Sequence, residues 1–396
     1  MQLGFVHFDR NDQRKYLAVL SRLSEGGAID ELGVGRIRDF YSDRMFPGIS
    51  TLHQHAKYFA LLPLLYREAV KVRYHRLDDV RPAIRNMEVA MTERLCKGSP
   101  GATGITGSNS LESGNYVKYD PVYIYGTALR TYGIVRIDDL EGAIFYASKK
   151  YHERPVKLSA TDQEQGDSDD VESVFSFCLC PSDLEYDWLA ECSLKLSPHE
   201  ASFVRDHILA APACKGTLLH YILENKLYFK DDEVSSFETF LLRFRDTLPD
   251  DLRYYAEHAS RFSDLVDGLF LYYNWLFSEK NDTDVWDEFV AWREETFLPE
   301  REGIVRSITL PVINDNGSKR FCRDAVAFIE SENWDEMDRL VKNRERSIKG
   351  SRYKIGNAQS GYQYNPGNRV HPGKVEFRWW TVRTIVNEIM EGLGDE

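Results

Sequence analysis

Apolar residues recur at three- and four-residue spacing along most of this 396-residue chain, the pattern of helices that each bury one face. Tyr16, Val19, Leu20 and Leu23 make one such stripe, capped at its start by Asp9 or Asn11 and ended by Gly26 and Gly27. A second helix begins near Gly35. The segment FPGIST (residues 46–51) then breaks the chain at Pro47 and Gly48, and Ser50 or Thr51 is placed to cap a third helix. Leu52, Ala56, Phe59, Leu62 and Tyr66 form the inner stripe of that helix, with Pro63 expected to kink it. Further on, Ser197 and Pro198 start a helix with Glu200 positioned for a capping box, and long helices are expected over residues 235–247, 251–278 and 284–296. Trp334, Met337, Val341 and Ile348 stripe another, and residues 380–390 close the chain as a last helix. Residues 3–8, 174–180 (VFSFCLC) and 375–379 (VEFRW) read as short strands. The fold class is therefore mainly α with short β segments (α+β), in a multi-lobed helical architecture.

Polar and glycine-rich stretches divide these elements. Residues 1–97 form an N-terminal helical domain with a helix-turn-helix-like succession, and residues 98–158 a glycine-rich loop with a mixed segment. Residues 159–173 are an acidic, aromatic-free linker. An acidic, mostly helical middle domain follows over 174–332, then a basic helix–loop–strand–helix region over 333–396. The glycines of residues 98–115 do not make a phosphate loop, because Gly107 is followed by Ser108 and Asn109 where the Lys-Ser/Thr pair would have to stand.

Charge alters the picture more than composition does. The net charge is -13, yet residues 1–100 carry 16 Lys and Arg against 12 Asp and Glu, and residues 339–396 carry 11 against 6. Two basic ends thus flank an acidic body, which makes an electrostatic partner at the ends plausible. The most apolar segment, residues 265–277, contains Asp267 and Asn274 and reads as a buried helix rather than a membrane span. The N-terminus lacks the basic-then-apolar pattern of a signal peptide, so the expected location is the cytoplasm. Six irregularly spaced cysteines do not form a disulfide framework.

Metal and catalytic signals are weak. His53 and His55, two positions apart on a helix, would point about 200° from each other and could not share an ion as an i, i+4 pair does. Cys178 and Cys180 meet the same objection on a strand. No nucleophile elbow and no nuclease carboxylate arrangement is present, and neither a metal nor a cofactor is expected. The basic ends carry the strongest binding signal. Arg344, Arg346, Lys349, Arg352 and Lys354 fall within eleven positions, with Tyr353 among them and Arg369 further on. Such cations suit phosphates, and exposed aromatic rings suit stacked bases. Arg36, Arg38, Arg44 and Lys57 form the corresponding N-terminal set. The competing account is a basic surface that balances the acidic body through internal salt bridges.

Several motifs carry a resemblance: GVGRIRD, FPGIST and KYFALLPLLY near the N-terminus, GITG at residues 104–107, PVYIYGTALRTYGI, LSPHEASFVRDHIL, and RERSIKGSRYKIGN followed by FRWWTVRTIVNEI. The chain resembles a bacterial family known only as a domain of unknown function. Members of that family look like components of anti-phage gene clusters, beside helicases and phospholipase-D-type nucleases. KYFALLPLLY stands where many relatives have an Arg and a Trp, so Lys57 keeps a charge but not a bidentate geometry. The resemblance implies a non-catalytic subunit that contacts DNA, or alternatively RNA, or serves as an adaptor for a helicase or nuclease, with no membrane partner. Alternatives are a nuclease with a noncanonical site and a protein-interaction scaffold whose acidic middle docks a basic partner.

Overall fold

The computed structural model describes residues 30–111, 117–153, 174–181, 192–229, 234–311, 316–371 and 373–394. The strand expected at 3–8, the helix expected to end at Leu23 and the linker at 159–173 lie outside the described residues. Helices follow one another: α1 (Gly35–Met45), α2 (Lys57–Val70), α3 (Val80–Gly98), α4 (Pro121–Thr131), α5 (Leu140–Glu153), α6 (Pro198–Ala210), α7 (Leu218–Glu224), α8 (Phe237–Phe244), α9 (Asp250–Phe277), α10 (Thr283–Trp292), α11 (Leu298–Thr309), α12 (Asn316–Glu330), α13 (Trp334–Lys349) and α14 (Trp379–Leu393).

The short β segments are not seen among the described residues. Around 174–180 the backbone turns, and a single antiparallel bridge joins Cys178 to Val135. At 375–379 an extended strand is excluded by Phe377 and Arg378, which take left-handed backbone conformations with φ of 47° and 67°. Val375 gives its N–H to the Ser263 hydroxyl instead of to a neighbouring strand.

Packing divides the chain into two units, each made from separate stretches: Met1–Met45 with Asp231–Trp379, and Phe46–Lys230 with Trp380–Glu396.

In the second unit α2 is the centre. Every residue from Lys57 to Tyr66 is buried, because α3, α4, α5 and α6 pack around it. It starts later than its apolar spacing suggests. Residues 52–56 form a loop whose N–H groups are claimed by tertiary partners: the Tyr125 hydroxyl accepts from Gln54 and His55, and Glu388 Oε2 accepts from Ala56 at 2.6 Å. Ser50 Oγ accepts from Leu52 at 3.3 Å, which makes a local turn rather than a helix cap. The carboxylate of Glu388, at the positive end of the α2 dipole, takes the capping role that Ser50 or Thr51 was expected to play. The capping box on α6 forms as expected, Ser197 Oγ accepting from Glu200 N–H and Glu200 Oε2 from Ser197 N–H.

In the first unit the 28-residue α9 is the axis, in contact with α1, α8, α10 and α11. Tyr41 of α1 stacks on Phe262 of α9 and donates to the Ser307 carbonyl of α11 at 2.6 Å, joining three helices with one side chain. Trp292 of α10 lies against Gly268 and donates from its indole to the Asp264 carbonyl at 2.9 Å. A Cβ at Gly268 would overlap the Trp292 ring.

Two consequences can be measured. Alanine at Gly268 gains helix propensity of about 1 kcal/mol, but displacing a buried indole costs about 1–3 kcal/mol or more, so Gly268→Ala should lower stability in urea denaturation. His55 has an acceptor at each ring nitrogen, Glu388 Oε1 at 2.6 Å and the Thr103 carbonyl at 2.8 Å, so its charged form has two partners. Burial opposes that charge, but the hydrogen bond and charge of Glu388 outweigh it and raise the pKa above 6.5. The resulting stability is fully present below pH 6.5 and is lost as pH rises through the folded value. The melting-temperature gap between wild type and His55→Gln should therefore be widest near about pH 6 and narrow on the alkaline side; a gap independent of pH would contradict this.

Candidate nucleic-acid interface

The basic C-terminal loop of the first unit is built on a carboxylate that is completely buried. Glu345 falls on the inner face of α13, one turn beyond Val341, and is 0% exposed. Buried charge demands donors. Three converge on it: the Tyr273 hydroxyl at 2.5 Å from α9, and the backbone N–H groups of Lys354 at 2.8 Å and Ile355 at 3.1 Å. Gly350, with φ of 56°, and the short turn Gly350–Arg352 bring the chain back so that these N–H groups can reach Glu345. The loop after α13 is therefore fixed at its base.

Around this anchor the sequence-predicted cations fall into two classes. Arg344 donates to the carbonyls of Leu32 and Gly33 at 2.7 and 3.0 Å and to Ser318 Oγ at 2.8 Å, clamping the approach to α1. Lys354 and Lys349 pair with Glu31 at 2.9 and 3.3 Å. Burial raises the Glu31 carboxyl pKa, but the two ammonium groups prevail and hold it below the usual range. All three cations are thus engaged within the fold, the lysines by a carboxylate and Arg344 by backbone carbonyls and a hydroxyl.

Arg346 and Arg352 differ. Both are exposed, and neither has a carboxylate partner among the described residues. Arg346 lies over the Tyr353 ring, 5.0 Å from its centroid, and Lys354 reaches over Tyr362, whose ring is 56% exposed. Arg36 is also exposed, in the first turn of α1, near the Leu32–Gly33 segment that Arg344 holds. Arg38 pairs with its neighbour Asp39 at 3.1 Å.

The remaining predicted residues lie elsewhere. Arg44 is at the far end of α1, over the Tyr255 ring. Arg369 donates from Nη1 to both carboxylate oxygens of Glu288 of α10, at 2.9 and 2.8 Å. Lys57 belongs to the second unit, buried, with its ammonium on both oxygens of Glu200 at 2.6 and 2.7 Å and on the Lys195 carbonyl.

A separate cleft of about 510 Å³ opens between α8, α9 and α11 in the first unit. Arg261 there pairs with Asp264 and Glu300, and Lys374 bridges Glu238 and Asp264. Burial, with the charge of Asp264 adding to it, pushes nearby Asp267 up to about 6. Sequence reasoning passed over these residues, since Lys374 lies more than a hundred positions from the carboxylates it meets. Among the described residues no group of three or more His, Cys, Asp and Glu side chains is arranged to hold a metal ion. No described helix is long and apolar enough to cross a membrane.

The described residues thus make a mainly helical protein of two units, with a fixed basic loop edged by tyrosines in the first. The chain belongs to the family of unknown function DUF6361, whose model matches residues 1–285. No curated protein and no solved structure matches it.

Glu345→Gln should remove the charge that two amides and a phenol share, while leaving the volume unchanged. The expected cost is about 2–3 kcal/mol in denaturant titration, with faster proteolysis of the 350–360 loop.

Proposed function

We propose that this protein is a non-catalytic, nucleic-acid-contacting or adaptor subunit of a cytoplasmic bacterial anti-phage system, acting with a separate helicase or nuclease. The defence context rests on the family resemblance. One observation carries the nucleic-acid part: Arg346 and Arg352 are exposed without carboxylate partners, on a loop whose base is fixed and whose edge offers Tyr353 and Tyr362. A preformed loop loses little conformational freedom on binding, and its cations can neutralise phosphates while the rings stack on unpaired bases.

A second reading, a scaffold that binds no nucleic acid, is favoured by the internal pairing of Arg344, Lys349, Lys354 and Arg369. The two readings diverge in a mobility-shift titration run at two salt concentrations. Under the first, Arg346→Ala with Arg352→Ala weakens binding to unrelated sequences alike, and flattens the salt slope by about one unit per lost contact. The melting temperature of that double variant should stay near the wild-type value. Lys349→Ala with Lys354→Ala should do the reverse, leaving the slope in place and costing on the order of 1–2 kcal/mol of stability by stranding Glu31. An unchanged affinity and slope in the folded Arg346/Arg352 variant would remove this loop as the contact and leave the scaffold reading.

A further inference from the structure

Three tryptophans cluster on the first unit, one of them, Trp334, at the opposite end of α13 from Glu345. Trp275, near the end of α9, meets Trp286 of α10 with ring centroids 4.2 Å apart, and Trp286 meets Trp334 of α13 edge-on at 5.7 Å. All three are partly exposed, unlike the Tyr272 and Phe289 rings beneath them. The ammonium of Lys280 stands 4.5 Å from the Trp275 centroid and 2.8 Å from Asp338, which Lys342 also meets at 3.3 Å. Asp338 is itself organised for a cation. It accepts from the Tyr272 hydroxyl at 2.7 Å, and although burial raises its pKa, its bonds to Lys280 and Tyr272 bring the net value below the usual range. An aromatic face beside a fixed carboxylate is the chemistry that recognises an ammonium group.

Lys280 reaches this place at a backbone cost. Glu279 and Lys280 are consecutive non-glycine residues in the left-handed region, with φ of 56° and 64°. Strain of that kind is held only where surrounding contacts impose it. Charge around the site also exceeds what Lys280 and Lys342 can neutralise. Asp284, Asp287 and Asp335, each within two positions of a clustered tryptophan, are exposed and have no cationic partner among the described residues.

We infer that Trp275, Trp286 and Asp338 form a binding site for the lysine side chain of a basic segment on a partner protein, and that Lys280 is a displaceable internal occupant. An incoming ammonium makes the same two contacts, and further lysines on the segment meet the unpaired carboxylates. Polyanions are disfavoured here by the same charge. The inference bears on the adaptor part of the proposed function and stands apart from the nucleic-acid part.

The test uses the full chain and a fluorescein-labelled peptide of five lysines spaced by glycine and serine, followed by fluorescence anisotropy. Lys280→Met, which frees the Trp275 face and leaves Asp338 with only the longer Lys342 contact, should bind the peptide at least about tenfold more tightly than wild type. Adding Trp275→Leu, which keeps apolar volume but removes the π face, should abolish that gain, and so should acetylation of the peptide lysines. Melting curves establish that each variant is folded; should Trp275→Leu unfold the protein, Asp338→Asn takes its place. Equal affinity for wild type, Lys280→Met and the double variant would mean that the peptide merely follows the acidic surface, and would overturn the inference. The mobility shift of single-stranded DNA should be the same for Lys280→Met and wild type, so failure here and failure of the nucleic-acid reading are told apart.

Discussion

A buried carboxylate must find donors, and that requirement shapes the basic loop of the first unit. Glu345 has no exposure, so the Tyr273 hydroxyl and two loop amides converge on it, and the loop from Gly350 to Ile355 is held where it lies. Lys349 and Lys354 are then brought to Glu31, while Arg346 and Arg352 are turned outward. One interaction thus sorts a run of similar cations into those that stabilise the fold and those available to a ligand.

The second unit uses the same device for another purpose. Glu388 reaches the start of α2 and satisfies the Ala56 N–H and the His55 ring together. In the first unit the carboxylate holds backbone just after its own helix, whereas Glu388 holds backbone more than three hundred positions away. Such contacts hold a loop more firmly than exposed ion pairs do, since exposed pairs are screened and contribute little.

Much of the helical pattern was legible in the sequence. The stripe Trp334, Met337, Val341 predicts α13, and Ser197 with Glu200 predicts the start of α6, because both depend on local spacing. The start of α2 was not legible. Its apolar spacing extends back to Leu52, but Tyr125 and Glu388, distant in sequence, take the N–H groups that a helix would have used. The strand read into residues 375–379 fails for a comparable reason: alternation reports side-chain faces and is blind to the left-handed turn at Phe377 and Arg378. Among candidate site residues, charge and clustering were visible in the sequence and pairing was not. Nothing in the spacing of Lys349 and Lys354 announces Glu31, and nothing near Lys57 announces Glu200.

The central claim, that Glu345 fixes the basic loop before any ligand arrives, is open to native-state hydrogen exchange. The amides of Lys354 and Ile355 should exchange as slowly as those of the buried middle of α9, since opening them strands a buried charge. Exchange at the rate of an open surface loop, in otherwise folded protein, would contradict it.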